Sequence, residues 1–182
     1  MSQTSMAKYT ASQIADWIIS CYVPDAGDAI TPLKLQKLLY YCQAWHYTVY
    51  DEPLFDDKIE AWARTPVVPS EFERFGYLEL CDNILSNRPE PAPKIVLEDK
   101  TEELLYEVMN KYGQHTAYYL EQLIHSEKPW EETRGDTDDY TNIIPKEIPL
   151  SLMKSYYSSV SKTNYGKKKL SKQTSRHRKR VF

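Results

Sequence analysis

Cys42 and His46 stand four residues apart, a spacing that brings two side chains together on one helix face. A thiolate beside an imidazole is a nucleophile for covalent catalysis. Both residues, however, fall on an apolar face, where a free cysteine behaves as a small hydrophobe. The expectation is therefore a packed Cys beside a hydrogen-bonded His. His115 and His125 are ten residues apart, and no H-E-x-x-H run or paired cysteine supports a metal site. The five glycines include no G-x-G spacing, which argues against a glycine-rich phosphate cradle. The residues point to no catalytic group, no metal and no cofactor.

The element that carries Cys42 and His46 is ITPLKLQKLLYYCQAWHYTVY, residues 30–50. Thr31 is an N-cap candidate and Pro32 suits the first helical position, where an N–H is unpaired anyway. Leu35, Leu38, Leu39, Cys42, Trp45, His46 and Val49 share one face, with Leu33, Tyr40, Ala44 and Tyr47 roughly opposite. Lys34, Lys37 and Thr48 form a narrow polar stripe. One apolar face suffices for a surface helix; this one has nearly two, and the second needs a cover.

Elsewhere, residues 10–23 predict a helix with a Thr10–Gln13 capping box, ended by Pro24 and a DAGDA loop. KIEAWA (58–63) alternates like a short strand, and PVVP (66–69) reads as an extended connector. Ser70 with Glu73 suggests a capping box for a helix carrying Phe72, Phe75 and Leu78. Residues 87–99, with Pro89, Pro91 and Pro93, read as a linker closing in a short strand at 94–97. Thr101 is expected to cap a helix that Gly113 stops, followed by a helix over 116–125 and a last one from Pro149. The fold class expected is mainly α: a compact helical domain with two or three short strands and a helix-turn-helix-like pair at 105–125.

The 182 residues suit one domain with a real core. The net charge of −3 hides an asymmetry, because residues 162–182 hold nine Lys and Arg and no acid. Residues 1–161 then carry 14 basic against 26 acidic residues, a formal charge of −12. The division expected is a domain over 1–160 and a flexible basic tail over 161–182, whose candidate roles are weak nucleic-acid contact, partner docking or none beyond a disordered solvating end. Three cysteines without a C-x-x-C pair suit a reducing compartment. No apolar signal core or membrane-spanning run is seen, so the expectation is cytoplasmic, without membrane contact. A DNA-reading helix should carry Arg, Lys or Asn; the second of the pair offers Tyr118, Tyr119, Glu121 and Gln122.

Three stretches in order, ITPLKLQKLLYYCQAWHY, PLFDDKIEAWARTPVVPSEFERFG and KYGQHTAYYLEQLIHSEKPW, resemble the Panacea domain over about residues 10–135. The T-P-L-K-L-Q-K-L-L-Y-Y run and the H-x4-W pair are the most distinctive parts. This SocA-like, phage-associated resemblance implies an antitoxin, not an enzyme. It would neutralise a cognate protein toxin encoded beside it by direct contact, and alarmone-synthetase-like translation inhibitors occur among such toxins. The alternatives are a DNA-binding transcriptional regulator and a proteolytic adaptor. Thr65 departs from the pattern, standing where a Gly usually precedes Pro-Val-x-Pro; a positive φ there would strain it.

Interfaces favour Trp, Tyr and Arg in desolvated pockets. The partner-binding residues expected are Trp62, Arg64, Val67, Pro69 and Phe72, around a stretch where Pro66 and Pro69 lack donors, with Tyr40, His125 and Trp130. The competing expectation is that Trp62 and Phe72 cover the second face of the 30–50 helix.

Overall fold

A computed structural model describes residues 6–23, 29–88, 93–135 and 145–165. Pro24 with most of the DAGDA loop, Pro89 and Pro91, and nearly all of the basic tail lie outside the described residues. Among those described, eight α-helices surround one two-stranded antiparallel sheet, the mainly α fold expected.

Two helices begin as their local chemistry requires. In α1 (Ala11–Ser20) the Thr10 hydroxyl accepts from Gln13 N–H and the Gln13 side chain accepts from Thr10 N–H, a complete capping box. In α2 (Pro32–Tyr50) Thr31 accepts from Lys34 N–H, with Pro32 in the first turn. Asp51 ends α2 in the left-handed region at φ 59°, which a short polar side chain tolerates.

Both apolar faces of α2 are covered by the chain itself, apart from Val49 near its C-terminal end, which is exposed. α1, β2 (Pro66–Val67), α3 (Pro69–Arg74), α5 (Asp99–Val108), the π-turn Met109–Gly113, α6 (Ala117–His125) and α8 (Leu150–Tyr165) all pack against it. Leu35, Leu38, Leu39, Tyr40, Tyr41, Cys42 and Ala44 are completely buried. Even its polar residues turn inward. Gln43 accepts from Leu54 and Phe55 N–H and donates to the Phe55 carbonyl; Gln36 accepts from Val68 N–H. These amides satisfy the backbone of irregular segments that must lie in the core, where an unpaired donor costs about 1–3 kcal/mol.

Several local expectations are corrected. PVVP is not a lone connector: β1 (Glu60–Ala61) pairs with β2, Glu60 opposite Val67 and Ala61 opposite Pro66. Segment 146–148 pairs with the other side of β1, through Ala61 N–H to the Lys146 carbonyl and Ile148 N–H to that of Ile59. Ser70 does not cap; α3 starts at Pro69 after Val68, and the Ser70 hydroxyl donates to Asp57. Thr101 lies inside α5, whose N-cap is Glu98, with its hydroxyl 3.5 Å from His46 Nε2. Residues 94–97 form no strand. Gly113 closes the π-turn rather than an α-helix. A short helix, α4 (Ile84–Asn87), precedes the 87–99 segment, and α7 (Lys128–Arg134) was not anticipated. Thr65 is not in the left-handed region, so the departure from glycine imposes no strain there. α8 runs to Tyr165.

Candidate partner-binding surface

The β1–β2 turn carries two of the residues expected to meet a partner, Trp62 and Arg64, and β2 carries a third, Val67. Trp62 N–H donates to the Thr65 carbonyl at 3.1 Å and closes the turn, and Arg64 at its tip has a side chain 79% exposed. Two backbone carbonyls of this turn are held from outside. His125, the last residue of α6, donates from Nε2 to the Arg64 carbonyl at 3.0 Å. Trp130 in α7 donates from Nε1 to the Trp62 carbonyl at 3.2 Å. The two rings stack on each other, 4.0 Å between centroids and 15° from parallel. The H-x4-W spacing has a physical meaning here: it spans the α6–α7 turn and makes the rings a single clamp.

The clamp is rooted in the core by Glu127, in the same turn. Its Oε2 accepts from Tyr157 of α8 at 2.6 Å and Tyr41 of α2 at 3.3 Å, and the Tyr40 and Tyr157 hydroxyls are 3.2 Å apart. Burial raises the Glu127 carboxyl to about pH 7, against the two hydroxyls that favour its ionised form. Tyr112, placed by the π-turn, stacks on Tyr41 at 3.8 Å and accepts from Trp45 Nε1.

Beneath Arg64 lies a short chain of charges. Arg64 Nε is 3.8 Å from Glu121 Oε1, and Lys37 Nζ is 3.5 Å from Glu121 Oε2. Lys37, expected in a polar stripe, is 0% exposed, and its ammonium makes an ion-pair approach without a well-formed hydrogen bond. Burial lowers its pKa to about 8, opposed by Glu121.

The other expected residues divide by exposure. Trp62 and Phe72 are half-buried, their rings 5.1 Å apart and tilted by 53°, with Trp62 Nε1 bonded to Glu60; Pro69 is half-buried as well. Val67, 2% exposed, faces inward, and Trp130 is buried behind His125. Tyr40 is corrected: it is completely buried in the tyrosine cluster and presents nothing to a partner. Both β2 and α3, the helix that carries Phe72, pack along α2.

Tyr118, 72% exposed, and Gln122 share the α6 face that carries His125. The pairing of Lys37 with Glu121 was not visible in the sequence, since their 84-residue separation leaves no spacing signal.

Cys42 and His46 do not form a nucleophile–base pair. Cys42 is completely buried, which pushes its thiol well above the ordinary range, and His46 Nδ1 is engaged by the Glu52 carbonyl at 2.8 Å. A concavity of about 420 Å³ lies beside His46, Thr101 and Tyr9. Its rim charges are paired internally, Lys8 with Glu98 and Lys100 with Glu52.

Among known families, the one described as antitoxin SocA-like, Panacea domain, matches residues 35–131, more than half of the chain and narrower than the 10–135 expected. No curated protein and no solved structure matches. The matched span runs from within α2 to within α7, so it contains both the β1–β2 turn and the clamp that holds it.

Proposed function

This chain belongs to the SocA-like Panacea antitoxin family, and from that premise we propose that it neutralises a cognate protein toxin by direct binding through the surface around Arg64. The observation that carries this reading is the exposed Arg64 on a turn whose two carbonyls are clamped by His125 and Trp130. An arginine on a rigidly held backbone turn, beside half-buried aromatic residues, spares the partner the cost of ordering the turn, a condition that favours Arg and Trp as hot spots. Because α2 is covered from within, its apolar second face is not the docking site. The protein acts as a binding partner rather than an enzyme, and its toxin is the product of the adjacent gene, an alarmone-synthetase-like translation inhibitor being one such class.

The test is growth rescue on co-expression with the adjacent gene product. Arg64→Glu, with an unfolding transition within about 0.5 kcal/mol of wild type as befits an exposed site, is expected to fail to rescue. A folded Arg64→Glu that rescues at wild-type level removes this surface from the interface.

The basic tail acts on affinity, not folding. Because α8 runs to Tyr165, the informative truncation is after that residue rather than after Val160. It is expected to leave unfolding unchanged while weakening toxin binding and flattening its salt dependence. Neutralisation at the same concentration in both forms would show the tail inert. A DNA-binding regulator would instead retard a specific DNA at physiological salt after tail deletion. The exposed α6 residues Tyr118, Tyr119 and Gln122 carry no cation that would favour this. A proteolytic adaptor would be recognised by a shortened toxin lifetime.

A further inference from the structure

We propose that the partner meets Arg64 with a carboxylate side chain, although the antitoxin body as a whole is acidic and would suggest a basic partner. This rests on the antitoxin reading above and specifies the chemistry of the group that faces this site.

The charge count beneath the turn carries the inference. One carboxylate, Glu121, lies between two cations, with Lys37 Nζ at 3.5 Å from one oxygen and Arg64 Nε at 3.8 Å from the other. Lys37 is fully buried, and Glu121 is its one acid within ion-pair distance among the described residues. Glu121, itself buried, is therefore committed inward. The Arg64 guanidinium donates no hydrogen bond to any described residue and is mostly in solvent. The cluster carries a local excess of one positive charge inside a body of formal charge −12 over residues 1–161.

A basic group arriving here would meet two cations sharing one anion. An acidic group completes the set: Lys37 with Glu121, and Arg64 with the partner. Arginine's planar fork matches a carboxylate through two parallel N–H···O bonds, geometry that Glu121 at 3.8 Å from Nε does not use. Trp62, Phe72 and His125 are half-buried groups on or against the same turn that exclude water once covered, which strengthens the new pair. The acidic body steers a basic partner at long range, while this spot sets the register by opposite chemistry.

The experiment uses the full-length chain and the purified adjacent gene product in isothermal titration, with native unfolding confirmed for each variant. Arg64→Ala is expected to weaken binding roughly 30-fold or more and Arg64→Glu further, while Arg64→Lys retains part of the affinity. Every Asp and Glu of the toxin is then reversed singly to Lys and screened for rescue of Arg64→Glu. One reversal is expected to restore binding to Arg64→Glu while weakening binding to wild type. If Arg64→Glu binds as tightly as wild type, the carboxylate assignment and the Arg64 surface fall together while direct toxin binding stands; if Arg64→Glu loses binding and no reversal restores it, the carboxylate assignment alone is overturned. Failure of the wild-type chain to bind the adjacent gene product overturns that reading, and this inference with it.

Discussion

Leu38→Ala is expected to lower the unfolding free energy by about 2–5 kcal/mol in denaturant titration, the usual cost of truncating a packed leucine. Leu38 is completely buried in the middle of α2, the helix on which α1, α5, α6 and α8 converge. Those helices are anchored by many other contacts, so the cavity cannot close without shifting several at once, and the cost belongs toward the upper end. A loss under about 0.5 kcal/mol would show that Leu38 is not packed. Part of the cover, α1 and α8, lies outside the span matched to the family.

The second expected result is a stability that falls as the pH rises from 5 to 8 on account of one residue. Glu127 goes from an ordinary 4.5 to about 7 on folding because it is buried. Between those values the native state holds a proton that the unfolded chain has released, so unfolding stability declines with pH through this window. Below 4.5 both states are protonated and above 7 neither is. Such a shift corresponds to about 2–3 kcal/mol between pH 5 and pH 8. Glu127→Gln keeps an acceptor for Tyr157 and Tyr41 and removes the titration. The variant should therefore gain on wild type by about that amount at pH 8 relative to pH 5. An unchanged difference at the two pH values would show that Glu127 does not titrate in this range. Lys111 favours the ionised carboxylate electrostatically, and its influence is already contained in the shift to about 7.

The tyrosine cluster joins the two results. It is the place where α2, α8 and the α6–α7 turn meet, and the turn in question carries the clamp on Arg64. Loosening it is expected to cost positioning of the partner surface as well as stability.

Much of this was readable from residue order. The caps of α1 and α2, the apolar faces of α2 and the family itself depend on residues within a few positions of one another. The H-x4-W spacing is local as well, but that His125 and Trp130 hold the carbonyls of Arg64 and Trp62, 61 and 68 residues away, is not. Where a cap was misassigned, at Ser70 and Thr101, the local pattern was present but a distant residue took the hydroxyl: Asp57 for the first, His46 for the second. A capping hydrogen bond worth about 1 kcal/mol loses easily to such competition, and nothing local announces it.

The remaining features are all pairings across long stretches of chain. β1 finds β2 and then 146–148, Lys37 finds Glu121, and Tyr41 and Tyr157 find Glu127. For the same reason Tyr40 read as an interface aromatic and is core, while Lys37 read as solvated and is buried. Helical periodicity tells which residues share a face, because that is set by a fixed rotation per residue. Which faces meet is set by how the helices pack, and for an element apolar almost all round only that packing decides what remains outside.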